Sequence, residues 1–186
     1  MIDVLFVTPN SSEKAYQELA KTFSAIEPPT WSLLLAESCR SKGFSVAILD
    51  ADVERLGLDD CVKRINEVNP RLIVFVLYGQ NPNSGTTSMI GAIELSDYIK
   101  DCDIKNSVCF VGSHTSALPR EVLAYKSVDF VLLNEGTYAL HNLLRSDLVS
   151  YLDKIKGIGY KSFDGSNFNL ILNEPEYPVP QDRMDI

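Results

Sequence analysis

Short apolar runs recur along the chain at regular intervals. Val4–Thr8, Ser45–Leu49, Leu72–Leu77, Val108–Val111 and Phe130–Leu133 are rich in Val, Ile, Leu and Phe. They are continuous and do not alternate, which is the pattern of strands buried on both faces. Between them the apolar positions take a helical spacing. Trp31, Leu34, Leu35, Ser38 and Cys39 predict one buried helix face, with Pro29 near the start and Gly43 just past the end. Cys61, Val62, Ile65 and Val68 predict a second face; Met89, Ala92, Ile93, Ser96 and Ile99 predict a third. Leu118–Leu123, with Pro119 in its first turn, predicts a short fourth helix. Ala139, Leu140, Leu143 and Leu144 predict a fifth. Strands alternating with helices in this way predict an α/β fold with a five-stranded, doubly wound parallel sheet.

The period changes after about residue 150. Ile155–Lys161 and Asn167–Leu172 read as two strands joined near Asp164-Gly165, a dipeptide favoured in tight hairpins. Glu174-Pro-Glu-Tyr-Pro-Val-Pro180 follows, and its three prolines predict an extended segment. The expected organisation is a sheet domain over 1–150, a hairpin appendage over 151–174, and over 175–186 a linker toward a further module.

Composition narrows the function classes. A chain of 186 residues can bury roughly 70% of its unfolded surface and needs no staples. With 17 Lys+Arg against 25 Asp+Glu the net charge is −8, which argues against nucleic acid and anionic membrane surfaces as partners. No apolar run reaches transmembrane length, and Met1–Pro9 reads as a strand, not a secretory leader. Cys39, Cys61, Cys102 and Cys109 share no Cys-x-x-Cys spacing, and there are two histidines. Zinc or iron–sulfur ligation by this chain is therefore not expected, and reduced cytoplasmic thiols are.

Sheets of this class bind ligands outside the carboxyl ends of their strands. The loops there are Pro9-Asn10, Asp50–Asp52, Tyr78–Thr87, Gly112–Ser116 and Asn134–Gly136. Gly79, Pro82 and Gly85 punctuate the third of these, and Ser84, Thr86 and Thr87 supply hydroxyls at a helix start, where anions are held. It is not a Walker A loop: Gly79 and Gly85 stand one residue too far apart and no Lys follows. Nor does Gly-x-Gly-x-x-Gly follow the first strand. Gly112 and Ser113 leave room for a flat ligand near the backbone, with His114 beyond. Glu135 is placed to bond a ligand hydroxyl or amide, or to put a negative charge in the first turn of the next helix. No Ser-His-Asp set, paired acids or metal motif stands out, so the loops read as a binding platform with no catalytic or metal-ligating residue.

Four stretches together resemble the N-terminal cobalamin (vitamin B12)-binding domain of cobalamin-dependent radical SAM enzymes, a Rossmann-like fold. They are Pro28-Pro29 … Leu34-Leu35-Ala36 … Gly43-Phe44 … Leu49-Asp50-Ala51; Tyr78-Gly79-Gln80-Asn81-Pro82 with Ser84, Thr86 and Met89; Val111-Gly112-Ser113-His114 … Ala117-Leu118-Pro119; and Asp129-Phe130-Val131 … Glu135-Gly136. The chain departs from that family in places. Ser113 replaces a second Gly, and Asn134 and Thr137 dilute a Gly-Glu-Gly-Glu turn. No Asp-x-His-x-x-Gly follows the first strand, and the Cys-x-x-x-Cys-x-x-Cys motif of the radical SAM module is absent.

The resemblance implies a chain that binds cobalamin and presents it to a radical SAM module for methyl transfer or related carbon-centre chemistry. The 4Fe-4S cluster and S-adenosylmethionine would belong to that module. It implies a nucleotide tail entering at Gly112-Ser113, with Tyr78, Gln80 and Asn81 opposite. Ser84, Thr86 and Thr87 would meet corrin amides or the tail phosphate. Pro9, Asn10, Asp50, Gly79, His114, Glu135 and Gly136 complete the expected cofactor-binding set. His114 is expected to meet a corrin amide or a loop carbonyl, not cobalt, and His141 to sit away from the strand ends. Two other classes remain open. One is a stand-alone cobalamin-binding or sensor module. The other is a receiver-like signalling domain, for which Asp50 and Asp52 are available but Leu133-Asn134 stands where a Lys is wanted. A nucleotide-sugar enzyme has no positive support in the loops.

Overall fold

The apolar runs become the strands of one sheet. The computed structural model describes residues 2–11, 28–79, 82–165 and 167–183, with the side chains at 82–84, 164, 167 and 183 set aside. Its elements run β1 (Ile2–Thr8), α1 (Thr30–Ser41), β2 (Val46–Asp50), α2 (Leu58–Val68), β3 (Pro70–Leu77), α3 (Pro82–Asp101) and β4 (Ser107–Gly112). Then come α4 (Ser113–Ala117), α5 (Pro119–Ala124), β5 (Phe130–Leu132), α6 (Thr137–Arg145), β6 (Ile158–Asp164) and β7 (Asn167–Leu172). The strand order is β2-β1-β3-β4-β5-β6-β7.

The sheet has seven strands, not the five expected. β1 to β5 are parallel, and the hairpin joins them by antiparallel pairing of β6 onto β5, Phe130 opposite Tyr160 and Leu132 opposite Ile158. An uncovered β5 would leave a row of unpaired backbone groups at the sheet edge. Ile158 and Tyr160 are buried there, so the hairpin is held by apolar contact as well as by its ladder. β6 starts at Ile158 rather than Ile155, because Leu152–Lys154 forms a 3-10 turn and Gly157 is left-handed, with φ +75°. The hairpin ladder runs from Gly159 opposite Leu172 out to Asp164 opposite Asn167.

Side chains alternate across β1, β3 and β4, and each face finds its own helices. Leu5, Val7, Ile73, Phe75 and Phe110 pack with Ile65 of α2, Met89, Leu95 and Ile99 of α3, and Val122 and Leu123 of α5. Val4, Phe6, Leu72, Val74 and Cys109 pack with Leu35 and Cys39 of α1 and Leu140 and Leu143 of α6. That double coverage is why these strands read as continuous apolar runs. α1 corrects the expected face. Its buried positions are Ser32, Leu35, Ala36 and Cys39, while Trp31 and Leu34 are 40% and 57% exposed. No described helix is long and apolar enough to cross a membrane.

Candidate functional site

The carboxyl ends of β1, β3, β4 and β5 share one edge, and strand order reverses at β1 and β3, the place where such sheets hold ligands. β4 pairs with β3 to its last residue, Gly112 opposite Leu77. The backbones there are so close that a Cβ on Gly112 would lie 2.7 Å from the Leu77 carbonyl carbon. Gly85, in the first turn of α3, is pressed on the same carbonyl: a Cβ there would lie 2.7 Å from the Leu77 oxygen and would overlap the Ser113 hydroxyl. The end of β3 and the starts of α3 and α4 thus form one junction with no space for side chains. Packing within the chain already requires a small residue at 112, so a nucleotide tail is not needed to explain it.

His114 stands on this junction. The sequence predicts a loop over Gly112–Ser116, but Ser113–Ala117 is a short helix, α4. It brings His114 Nδ1 to 3.1 Å from Thr86 Oγ1. Thr115, one residue on, is fully buried, and its hydroxyl has no partner among the described residues.

The other flank is aromatic. Trp31 and Tyr78 stack with ring centroids 4.6 Å apart and planes 31° apart. The Tyr78 hydroxyl donates to the Asn134 carbonyl. Burial, with the nearby Glu135 carboxylate, pushes its pKa up to about 12, so it remains a donor at neutral pH. Ser116 Oγ donates to the same carbonyl at 3.5 Å. Asn134 is left-handed at φ +57°, and Gly136 follows at φ +72° as the N-cap position of α6. The Glu135 carboxylate does not project freely into the platform: it accepts the Val179 N–H at 2.8 Å.

Two expected site residues are tied elsewhere. Asn10 donates to the Leu56 carbonyl at 3.4 Å and lines a separate cleft of about 200 Å3 with Leu56, Leu58, Gly91 and Leu95. Asp50, at the end of β2, accepts the Val53 N–H at 3.2 Å, and burial raises its carboxyl above the usual range. Pro9 is buried at the end of β1. Gly79 follows Tyr78, and Thr87 sits beside Thr86 in α3. Gln80 and Asn81 lie outside the described residues, as does the Ser84 side chain. His141 is buried on α6, with Nε2 3.0 Å from Ser38 Oγ of α1. Cys39, Cys61 and Cys109 are buried, and Cys102 is exposed. Among the described residues no group of three or more His, Cys, Asp or Glu could hold a metal ion.

The platform that results is polar and aromatic: hydroxyls, an imidazole, an indole and a phenol, with the two expected carboxylates engaged by backbone N–H groups. Such a set suits hydrogen bonding to neutral amides and carbonyls or to a phosphate, and it holds rather than transforms. Sequence reasoning missed Trp31, Asn134, Ser116 and Thr115. Trp31 carried the one available signal, a large aromatic in the first turn of a helix whose buried stripe starts one residue later.

A family model, the B12 binding domain, matches residues 18–144. No curated protein matches the chain by sequence. Among solved structures it is similar to the radical S-adenosylmethionine methyltransferase TsrM from Kitasatospora setae with cobalamin and a [4Fe-4S] cluster bound. There the TM-score is 0.68 at 18% identity, over 97% of this chain and 30% of that one. It is also similar to OxsB, a cobalamin-dependent S-adenosylmethionine radical enzyme with aqua-cobalamin and S-adenosylmethionine bound. That TM-score is 0.66 at 18% identity, over 96% of this chain and 23% of that one. The chain therefore spans less than a third of the length of either enzyme. With the model matching well over half of its residues, the chain belongs to the B12-binding domain family.

Proposed function

We propose that this chain binds cobalamin across the carboxyl edge of its sheet and presents it to a radical SAM module. The observation that carries this is the polar platform, on which Thr86 and His114 bond each other beside the Trp31–Tyr78 pair. A corrin displays neutral amide side chains, and this is the donor and acceptor set that meets them. The buried Thr115 hydroxyl, without a partner among the described residues, fits the same reading. Thr86 and His114 would hold corrin amides, Trp31 and Tyr78 would wall one side, and Thr87 and Ser84 would serve the tail phosphate. Bound cobalamin supplies a cobalt centre able to carry a methyl group. His141 is bonded to Ser38 between α1 and α6, and the loop after β1 holds no histidine, so His114, whose Nδ1 faces Thr86, is the imidazole at this edge and would meet a corrin amide. The likeness to TsrM and OxsB supports a radical SAM module as the partner and methyl transfer or related carbon-centre chemistry as the reaction. Residues 1–150 would then hold the cofactor, with 175–186 leading toward the partner module.

Titration with hydroxocobalamin tests the reading, followed by visible absorption and by quenching of Trp31, the single tryptophan. Saturable binding of one cofactor per chain is expected. Thr86→Arg, at an exposed position, should weaken it at least about tenfold, or about 1.4 kcal/mol, with the melting temperature unchanged. Absence of saturable binding, or full affinity in Thr86→Arg, overturns the assignment. The module is tested separately by reading the coding sequence past residue 186 for a Cys-x-x-x-Cys-x-x-Cys motif.

A further inference from the structure

The turn between β5 and α6 touches two parts of the molecule at once. On one side the Asn134 carbonyl receives the Tyr78 hydroxyl and Ser116 Oγ. On the other its side-chain amide donates to the Glu176 carbonyl at 3.5 Å, and the Glu135 carboxylate accepts the Val179 N–H at 2.8 Å. The segment so held is 174–180, which carries Pro175, Pro178 and Pro180. Three prolines remove three N–H donors, so the segment cannot be fixed by a strand ladder and depends on side chains for its path. It enters against Gly157, whose N–H donates to the Glu174 carbonyl at 2.7 Å. Between turn and segment a gap of about 10 Å3 remains, lined by Glu135, Gly136, Glu176 and Val179, enough for one water at most.

We propose that Glu135 is a latch that positions the Pro-rich exit segment against the edge of the platform, and that Tyr78 sets this latch through Asn134. Glu135 is then a positioning residue whose acceptor belongs to Val179 rather than to a ligand. The link to Tyr78 is geometric. The Tyr78 hydroxyl fixes the Asn134 peptide in its left-handed conformation, and that peptide aims the next side chain, Glu135, at the segment. A ligand that moves Tyr78 would therefore be felt at residues 176–179.

Hydrogen exchange of the Val179 amide in the whole chain tests this, together with cleavage by a glutamyl endopeptidase after Glu176. Glu135→Ala should raise both rates at least about tenfold at an unchanged melting temperature, since only local opening becomes easier. Glu135→Gln keeps an acceptor carbonyl and should stay within about threefold of the parent. Tyr78→Phe, which leaves Glu135 in place, should raise Val179 exchange by about threefold. Equal Val179 exchange in the parent and Glu135→Ala overturns the latch. Equal exchange in the parent and Tyr78→Phe removes the connection to the platform. Loosening in Glu135→Gln as large as in Glu135→Ala would mean that charge, not the hydrogen bond to Val179, holds the segment.

Discussion

The two edges of the sheet are built from different chemistry. At the amino edge, charge is tied down. Asp3 accepts the Ser45 hydroxyl at 2.6 Å and the Ser45 N–H at 2.8 Å, which hold its carboxyl below the usual range, and Arg71 lies at 3.4 Å. Arg71 also reaches the Leu144 and Ser146 carbonyls at 3.3 and 2.8 Å. Lys100 pairs with Asp129 at 2.9 Å, and Asp129 also accepts the Val108 N–H at 2.8 Å. At the carboxyl edge the platform itself is built of hydroxyls, an imidazole and aromatic rings, and Thr86 and Trp31 are exposed. Bonds of an ionised carboxylate to N–H and ammonium groups are strong and hold one geometry. Hydroxyls and an imidazole near water exchange partners cheaply. One edge therefore closes the fold, and the other stays able to take a ligand.

The largest effect should come where the carboxyl edge behaves like core. Gly112→Val drives a side chain into the Leu77 backbone and should cost about 3 kcal/mol, read by urea unfolding. Lost cobalamin binding in that variant would then report unfolding of the β3–β4 junction rather than a blocked tail. A Gly112→Val chain as stable as the parent would show that the junction is looser than its geometry implies.

Next comes a variant at the opposite edge. Asp129→Ala removes the acceptor of Lys100 and of the Val108 N–H and should cost about 2 kcal/mol. Cobalamin affinity should stay within about twofold, because additivity holds for distant sites. Stability lost without affinity at Asp129, and affinity lost without stability at Thr86, would sharpen the contrast. A joint loss in either variant breaks it.

Much of the fold was legible because burial on two faces leaves a continuous apolar signature, as in Leu72–Leu77 and Val108–Val111. The hairpin was legible from Asp164-Gly165, but its docking was not. Pairing of β6 with β5 depends on an open edge that β5, only three residues long, does not announce. The face of α1 was misread because an aromatic at Trp31 counts as core by periodicity, whereas here it stacks on Tyr78 at the rim. At the site, Thr86, His114 and Tyr78 were legible as residue types at strand ends. Asn134 was not, since its part is played by a carbonyl and a left-handed backbone. Glu135 was read toward a ligand because its partner, the Val179 N–H, lies 44 residues away in sequence and carries no side-chain signal.

A smaller effect belongs to the buried hydroxyl beside the platform. Thr115→Val keeps the shape and removes a polar atom with no partner among the described residues, so it should raise the stability of the ligand-free chain by about 1 kcal/mol. A loss of stability would mean that the hydroxyl has a partner, most simply a buried water.

The smallest effect lies away from both edges, between α1 and α6, and appears only as pH falls. His141 is 3% exposed and bonded to Ser38, and burial, with Arg145 and Lys42 nearby, lowers its pKa below 6.5. The folded chain thus keeps the imidazole neutral while the unfolded chain takes up a proton near the ordinary value of about 6.5. Below that value the unfolded state binds more protons than the folded one, so acid favours unfolding. The neutral imidazole's contribution is whole above about 6.5 and drains as pH falls from there toward the lowered folded pKa. His141→Gln keeps a hydrogen-bonding partner for Ser38 and does not titrate. The measurement is urea unfolding of both chains at pH 7.5 and 5.5. The parent should lose more stability over that interval than His141→Gln, because the carboxylates common to both chains cancel in the difference. Equal losses in the two chains would show that the imidazole takes up its proton as readily folded as unfolded, and that the α1–α6 contact opens to water.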